Sequence, residues 1–299
     1  LSIGERRAYL AVKVGTPAAT PAAPLLQQDS TIWELSLAQV RVGAGATGIV
    51  VEDITDEREY TSLAAAPASD NAGFHNSIYR GKNLGTFVTA EQYANIADGT
   101  FKDMYIGDYW TINGVQYIIA AFNYYHNTGD TALTQNHVTL VPGGTLYTHE
   151  MNDSNTTEGG YVGSKMYTEG LAQAKSMISS AFGGHVVTHR RYLSNATSNG
   201  QASAGVWVDS DIELMNEAMV YGGRVNGSAV YGLYDIGMEK AQLPLFRHRH
   251  DLIGIRSTWW LRDVCSASYV ACVADNGLAD WGNASIARGV RPVFSISGA

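Results

Sequence analysis

Two arginines sit inside apolar runs near the C-terminus of this 299-residue chain, Arg262 within residues 259–264 and Arg291 within residues 289–296. A guanidinium group cannot be buried among such neighbours unless acceptors meet its N–H groups, so any fold must bring partners to both; Asp263 is one candidate close by. The adjacent Trp259 and Trp260 are bulky anchors, at least one of them for the core. Gly289 and Pro292 fix the backbone around a final strand. Between these anchors the residues are small, polar and varied: Ser268, Tyr269, Cys272, Ala274, Asp275, Asn276, Leu278, Asp280, Trp281, Asn283, Ile286, Ala287 and Arg288. A rigid frame presenting a changeable surface is how a binding face is built, and Tyr269, Trp281 and Arg288 are of the types that most often carry binding energy. Asp275-Asn276-Gly277 and Trp281-Gly282-Asn283 read as turns that display this surface.

Charge narrows the partners. The net charge is −8, only 16% of residues are charged, and basic runs such as His189-Arg190-Arg191 are too short for a phosphate track, so nucleic acid is not expected. No uncharged apolar stretch reaches the ~18 residues of a membrane span. The first residues, Leu1 to Arg7, lack the apolar segment of a secretion signal. With 32 glycines, 17 tyrosines and 7 prolines, the chain is rich in tight turns and in hydroxyl-bearing aromatics suited to ligand contact. Its two cysteines, Cys265 and Cys272, are too few for a disulfide scaffold and read as small buried apolar residues.

Periodicity divides the chain in two. Residues 1–65 form a small β-rich module, with strands expected at 9–14, 32–42 and 49–51 and a charged exit at 53–59. Residues 63–70 resemble a linker. The remainder, 66–299, reads as one α+β domain. Its first helix begins at Thr89, where Thr89 and Gln92 form a capping box and Asp98-Gly99 stops it. A second helix is expected from Ser164 to Phe182, ended by Gly183-Gly184. A third is expected from Ser210, with Glu213 completing another box and Glu213 and Glu217 on the solvent face. Strands are expected at 104–106, 109–112, 115–122 (after the hairpin Asn113-Gly114), 138–141, 186–192, 206–208, 252–255, 259–262, 269–274 and 290–296.

The catalytic and metal signals are weak. On a strand, His248 and His250 share a face as two ligands would, but no third ligand follows, and they read as exposed polar residues at a strand start. His185 and His189 lie four apart in a β-branched stretch, about 13 Å apart on a strand, beyond the reach of one metal. No serine-hydrolase, zinc-protease or phosphate-loop motif occurs. The sequons at Asn155, Asn195, Asn226 and Asn283 carry no weight in a product that is not exported.

The frame WWLRD (residues 259–263), then Ser266-Ala267, Val273, Gly277 and Ala284-Ser285, closing on GVRP (289–292), resembles the C-terminal domains of phage and bacterial C-type-lectin-like proteins, many of them targets of diversity-generating retroelements. The major tropism determinant of a bacteriophage is the best-known relative by fold. HNSIYRGKNLG (75–85), IGDYWTING (106–114) and GGYVGSKMYTEGLAQAK (159–175) resemble gut-phage proteins. YLAVKVGTPAATPAAP (9–24), WELSLAQVRVGAGAT (33–47) and ITDER (54–58) resemble the attachment module of siphophage baseplate and tail-fibre proteins, a resemblance that implies further sequence before Leu1. The resemblance implies a C-type-lectin-like fold, a virion receptor-binding protein and no enzyme. It makes the thirteen positions named above, rewritten in the family through adenine-rich codons, the face for a bacterial surface protein or glycan. An adenine-mutated Asn codon cannot become Trp, so Trp281 is fixed or templated differently. The partners implied are tail and baseplate proteins and, through avidity, further copies in a homotrimer. Ordinary C-type lectins hold calcium through a Trp-Asn-Asp run; Trp281-Gly282-Asn283 departs from it, and no metal or other cofactor is expected. Two rivals remain. One is an oxidoreductase on the same fold, either a formylglycine-generating type with paired cysteines and copper or a sulfoxide synthase type with iron, although His185 and His189 are followed by Arg190-Arg191 rather than the acid that type needs. The other is a ligand-free decoration protein.

Overall fold

The structure, a computed structural model, describes residues 11–19, 22–27, 36–49, 53–56, 71–228 and 239–298. The chain divides into two compact units, residues 1–65 and 66–299. In the first, β1 (Ala38–Val40) pairs antiparallel with β2 (Ile54–Asp56), Val40 opposite Ile54. The alternating run therefore does contain a strand, and its partner comes from the stretch read as a charged exit, where Ile54 and Thr55 supply β-branched side chains. Residues 11–14 are not a strand, and the rest of the expectations at 9–14 and 49–51, with the linker at 63–70, fall largely outside the described residues. The side chains described in this unit are all exposed or half-buried.

The second unit is α+β. In chain order it contains α1 (Asn71–Asn76), β3 (Asn83–Gly85), α2 (Ala90–Ala97), β4 (Tyr109–Ile112), β5 (Val115–Phe122), β6 (Val138–Pro142), β7 (Tyr147–His149), α3 (Ala172–Phe182), β8 (His189–Ser198), β9 (Gln201–Ser210), β10 (Ile212–Leu214), α4 (Glu217–Tyr221), α5 (Pro244–His248), β11 (Trp259–Val264), β12 (Tyr269–Val273), β13 (Ala279–Asn283), β14 (Arg288–Val290) and β15 (Pro292–Ile296). One sheet has the order β10-β15-β6-β5-β4-β3, a second β13-β12-β11-β14-β7, and β8-β9 is a long two-stranded ribbon.

The double tryptophan explains how the second sheet is held. Successive strand residues point to opposite faces. Trp259, with Leu261, Ala271 and Val273, enters a large core that includes Trp110, Tyr117, Phe182, Phe246 and Phe294. Trp260, with Val270, Cys272 and Val290, enters a second core with Met151, Tyr161, Met166 and Leu193. Both indoles are fully buried, and each N–H donates to a carbonyl, Ile253 for Trp259 and His149 for Trp260. Gly289 leaves room on β14 for Thr145, because a Cβ there would meet Thr145 Cγ2 at 2.1 Å.

The two cations find partners other than Asp263. Arg262 bonds the Glu239 carboxylate and donates to Leu214 O at 2.7 Å. Glu239 also takes Arg191 Nη1 at 2.7 Å and the Tyr125 hydroxyl at 3.0 Å. Burial pulls the Glu239 pKa upward, but Arg262 and Arg191 outweigh it and hold the carboxyl below its usual value. Arg291 has carbonyl partners, Pro142 O at 2.9 Å and Leu252 O at 3.0 Å, and lies over the rings of Trp259 and Phe246. Burial pushes its pKa down to about 9, which leaves it charged at neutral pH. Asp263 instead accepts from the Glu217 N–H at 2.7 Å.

Helical expectations are met in part. Thr89 and Gln92 form the reciprocal box, and Asp98 caps the C-terminus of α2. The second helix is broken: residues Met166–Gly170 form a π-helical turn before α3. The cause is Tyr147, whose hydroxyl donates to Gly170 O at 2.5 Å and accepts from Ala174 N at 3.2 Å, inserting into the i to i+4 ladder. The third helix does not start at Ser210. Ser210 ends β9, Ile212 pairs with Phe294, and α4 begins after Asn216, whose side chain accepts from Met219 N. Ser210 and Glu213 do bond, but through their side chains across extended backbone. Glu213 and Glu217 are buried, not solvent-facing. Residues 252–255 form no strand, and His248 and His250 lie in α5 and a 3-10 turn rather than at a strand start. The expected strand at 104–106 is reduced to a single bridge between Tyr79 and Ile106.

His137 makes this core acid-sensitive. It is fully buried, its Nδ1 donates to Gln135 O at 2.9 Å, and its Nε2 accepts the Tyr125 N–H at 3.0 Å, a pattern that needs the neutral ring. Burial lowers its pKa to about 4. The unfolded chain takes up this proton near pH 6.5 and the folded chain does not, so stability falls as pH drops from 6.5 towards 4. The expected loss by pH 5 is about 2 kcal/mol from this group. Urea titrations of wild type and His137→Asn at pH 7 and pH 5 check it, since the difference in slope with pH isolates the imidazole.

A candidate binding face on the edge of the second sheet

β12 and β13 form an antiparallel ladder in which Tyr269 lies opposite Asn283, Ala271 opposite Trp281 and Val273 opposite Ala279 on one face. Val270 and Gly282, and Cys272 and Asp280, pair on the other. At its ends the ladder closes with Ala284 N donating to Ser268 O and Ala274 N to Leu278 O, each at 2.9 Å. Alternation from these bonds places Asp280 and Gly282 in the hydrogen-bonded pairs and turns the N–H and C=O of Trp281 outward. β13 is the edge of its sheet, so these groups point away from it.

Both ends of the ladder are stiffly held. Arg256 N donates to Asp275 O at 3.0 Å, Leu278 N to Asn276 Oδ1 at 3.1 Å and the Tyr221 hydroxyl to Gly277 O at 3.1 Å. Gly277 has φ +91° and lies against Gly254, so glycine is needed there for both conformation and space. At the other end, Asn155 Oδ1 accepts from Ser285 N and from its hydroxyl (3.2 and 2.6 Å), and Ile286 N donates to Asn283 O. Asn155 is a positioning residue that no sequence signal marks, because it lies 130 residues from Ser285.

Onto this frame the second unit places most of its exposed large apolar side chains. Six large apolar side chains are exposed among the described residues of the second unit, and four of them, Tyr269 (37%), Leu278 (66%), Trp281 (49%) and Ile286 (45%), fall within eighteen residues of sequence. Asp275, Asn276 and Ala287 are also exposed, and Ser268, Ala274, Asp280, Asn283 and Arg288 are half-buried. Cys272 is a correction. It is fully buried in the second core, because it opposes Trp260 on β11, and burial pushes its thiol up to about 12. Burial also raises the Cys265 thiol. Both are held as protonated thiols at neutral pH.

The thirteen positions do not share one side. Tyr269, Trp281 and Asn283 stand on one face of the ladder, with Leu278, Ile286 and Ala287 on its end loops. Asp280 and Arg288 belong to the other face, where the Arg288 guanidinium lies 5.2 Å from the centre of the Trp260 ring. A Cβ at Gly282 would meet Arg288 Nε at 2.6 Å, so the glycine makes room for this arm. Trp281-Gly282-Asn283 is thus part of an edge strand, not a turn. Among the described residues no three His, Cys, Asp or Glu side chains gather as a metal site.

A family described as a domain of unknown function, DUF6273, matches residues 186–298. No curated protein and no solved structure matches the chain. The DUF6273 span takes in β8 to β15, and so contains the whole candidate face together with Arg191, Glu239, Arg262 and Arg291. Asn155, which braces the face through Ser285, and the π-helical turn lie outside it. No helix among the described residues is long and apolar enough to cross a membrane.

Proposed function

We propose that the chain is a bacteriophage receptor-binding protein of the tail or baseplate, with a C-type-lectin-like second unit that docks a bacterial surface protein or glycan. The first unit would attach it to the virion, and a homotrimer would multiply a modest single-site affinity. The observation that carries the reading is the concentration of exposed Tyr269, Leu278, Trp281 and Ile286 on one braced sheet edge. Large rigid aromatic side chains give contact area at low entropic cost, and a stiff frame lowers the ordering penalty of binding. Cys272 is removed from the contact set, and Asp280 and Arg288 form its rim on the far side. The test is saturable binding of labelled protein to intact bacteria, competed by unlabelled wild type. Protein carrying both Tyr269→Ala and Trp281→Ala is expected not to compete; full competition by that variant refutes the face. Protease treatment of the cells abolishes binding if the ligand is a protein, and periodate abolishes it if the ligand is a glycan.

A further inference from the structure

Arg191 and His189 occupy alternate positions on β8 and so project from one face of the ribbon, Arg191 fully buried and His189 5% exposed. Both lie against the Tyr125 ring, the imidazole 4.0 Å and the guanidinium 4.8 Å from its centre. Arg191 uses Nη1 to bond Glu239, but among the described residues its Nε and Nη2 meet no hydrogen-bond partner, and the His189 ring nitrogens make no hydrogen bond of good geometry. Nε–H and Nη2–H are the two parallel donors of the guanidinium edge that grips a carboxylate side-on. Three other arginines of this chain use that edge in this way: Arg80 on Asp108 (3.1 and 2.7 Å), Arg190 on Asp130 (2.9 and 2.9 Å) and Arg249 on Asp251 (2.7 and 2.6 Å). In Arg191 the same edge is buried and unused.

The nearby charges leave an opening for a negative group. Glu239 is one carboxylate shared between Arg191 and Arg262. Glu213, the other buried acid close by, commits its oxygens to the hydroxyls of Tyr161 and Ser210. His137 has both nitrogens engaged and its pKa lowered, so it adds no charge at neutral pH. Buried N–H groups are almost always bonded, and a charged donor pair without an acceptor is among the least favourable arrangements a core can hold.

We infer that the free edge of Arg191, with His189 beside it, holds a small anion of carboxylate or halide size, enclosed on folding between the ribbon and Tyr125. The two parallel N–H donors grip it and an N–H of His189 completes the set. This site is separate from the candidate receptor face and does not depend on it.

Because the site is closed, the full chain is unfolded and refolded in sodium formate, sodium bromide or, at matched ionic strength, sodium gluconate, whose anion is too large. Above the dissociation constant, each tenfold rise in formate or bromide is expected to raise the folding equilibrium constant tenfold over gluconate. His189→Phe keeps the bond between Arg191 and Glu239, and Arg191→Lys keeps a cation for Glu239 while removing the fork; both are expected to lose the anion dependence. Crystals grown in bromide are expected to show an anomalous peak within bonding distance of Arg191 Nε and Nη2. An equal response to all three salts, an unchanged anion response in both variants, or density for water alone at that edge overturns the inference.

Discussion

Replacing Glu239 by alanine lowers the stability of the second unit by about 3–5 kcal/mol, because it leaves two buried guanidinium groups without their shared carboxylate. Arg191 is fully buried and Arg262 is 7% exposed, so water cannot take over. Arg262 keeps the Leu214 carbonyl, whereas Arg191 loses its ion pair with Glu239 and the Tyr125 hydroxyl loses its acceptor. A domain of this kind is stabilised by only roughly 5–15 kcal/mol in total, so the variant approaches the threshold of folding. Denaturant unfolding followed by near-ultraviolet circular dichroism reads the loss. The triple replacement Arg191→Met, Glu239→Met, Arg262→Met is expected to regain much of it, since removing buried charges together is far less unfavourable than stranding them. A loss below about 1 kcal/mol for Glu239→Ala contradicts the assignment of the network as a core element.

The second large effect concerns binding. Truncating both Tyr269 and Trp281 weakens attachment to bacterial cells by roughly 10²- to 10³-fold, as expected when two anchor residues each contribute about 2 kcal/mol or more. The two sit on neighbouring strands of one face, so their effects are coupled and the double variant falls short of the product of the singles. The loss resides mostly in faster dissociation, because truncation changes contact and not long-range steering. Folding is unaffected: both side chains are substantially exposed and neither fills the core. Phe87→Ala, another exposed aromatic of the same unit, leaves binding unchanged.

The parts of this protein legible in the sequence were those with local causes. The capping box at Thr89 and the Asn113-Gly114 hairpin that joins β4 to β5 depend on residues a few positions apart, and they form as expected. The need of Arg262 and Arg291 for partners was also readable, but not their identity. Glu239 and the carbonyls of Pro142, Leu214 and Leu252 are brought in by the fold, and Asp263, the nearest in sequence, points to Glu217 instead. Ser210 shows how a local motif misleads: the spacing of a capping box is present, yet pairing of Ile212 with Phe294 on β15 overrides it. The break in the second helix arises from Tyr147, a residue more than twenty positions away. In the candidate face, Tyr269, Leu278, Trp281 and Ile286 could be named from composition between fixed anchors. The burial of Cys272 and the split of Asp280 and Arg288 to the other side follow from strand register, and a one-residue shift would have exchanged the two sets.

The central claim, that this braced edge is where the protein meets its ligand, is tested most directly by hydroxyl-radical footprinting of the protein free and bound to bacterial cells. Tyr269, Leu278, Trp281 and Ile286 are all accessible to the radical in the free protein, and Phe87 at 64% exposure is an internal control. Strong protection of the four with Phe87 unchanged is the predicted result. Protection at Phe87 while Trp281 and Tyr269 stay as reactive as in the free protein contradicts the account.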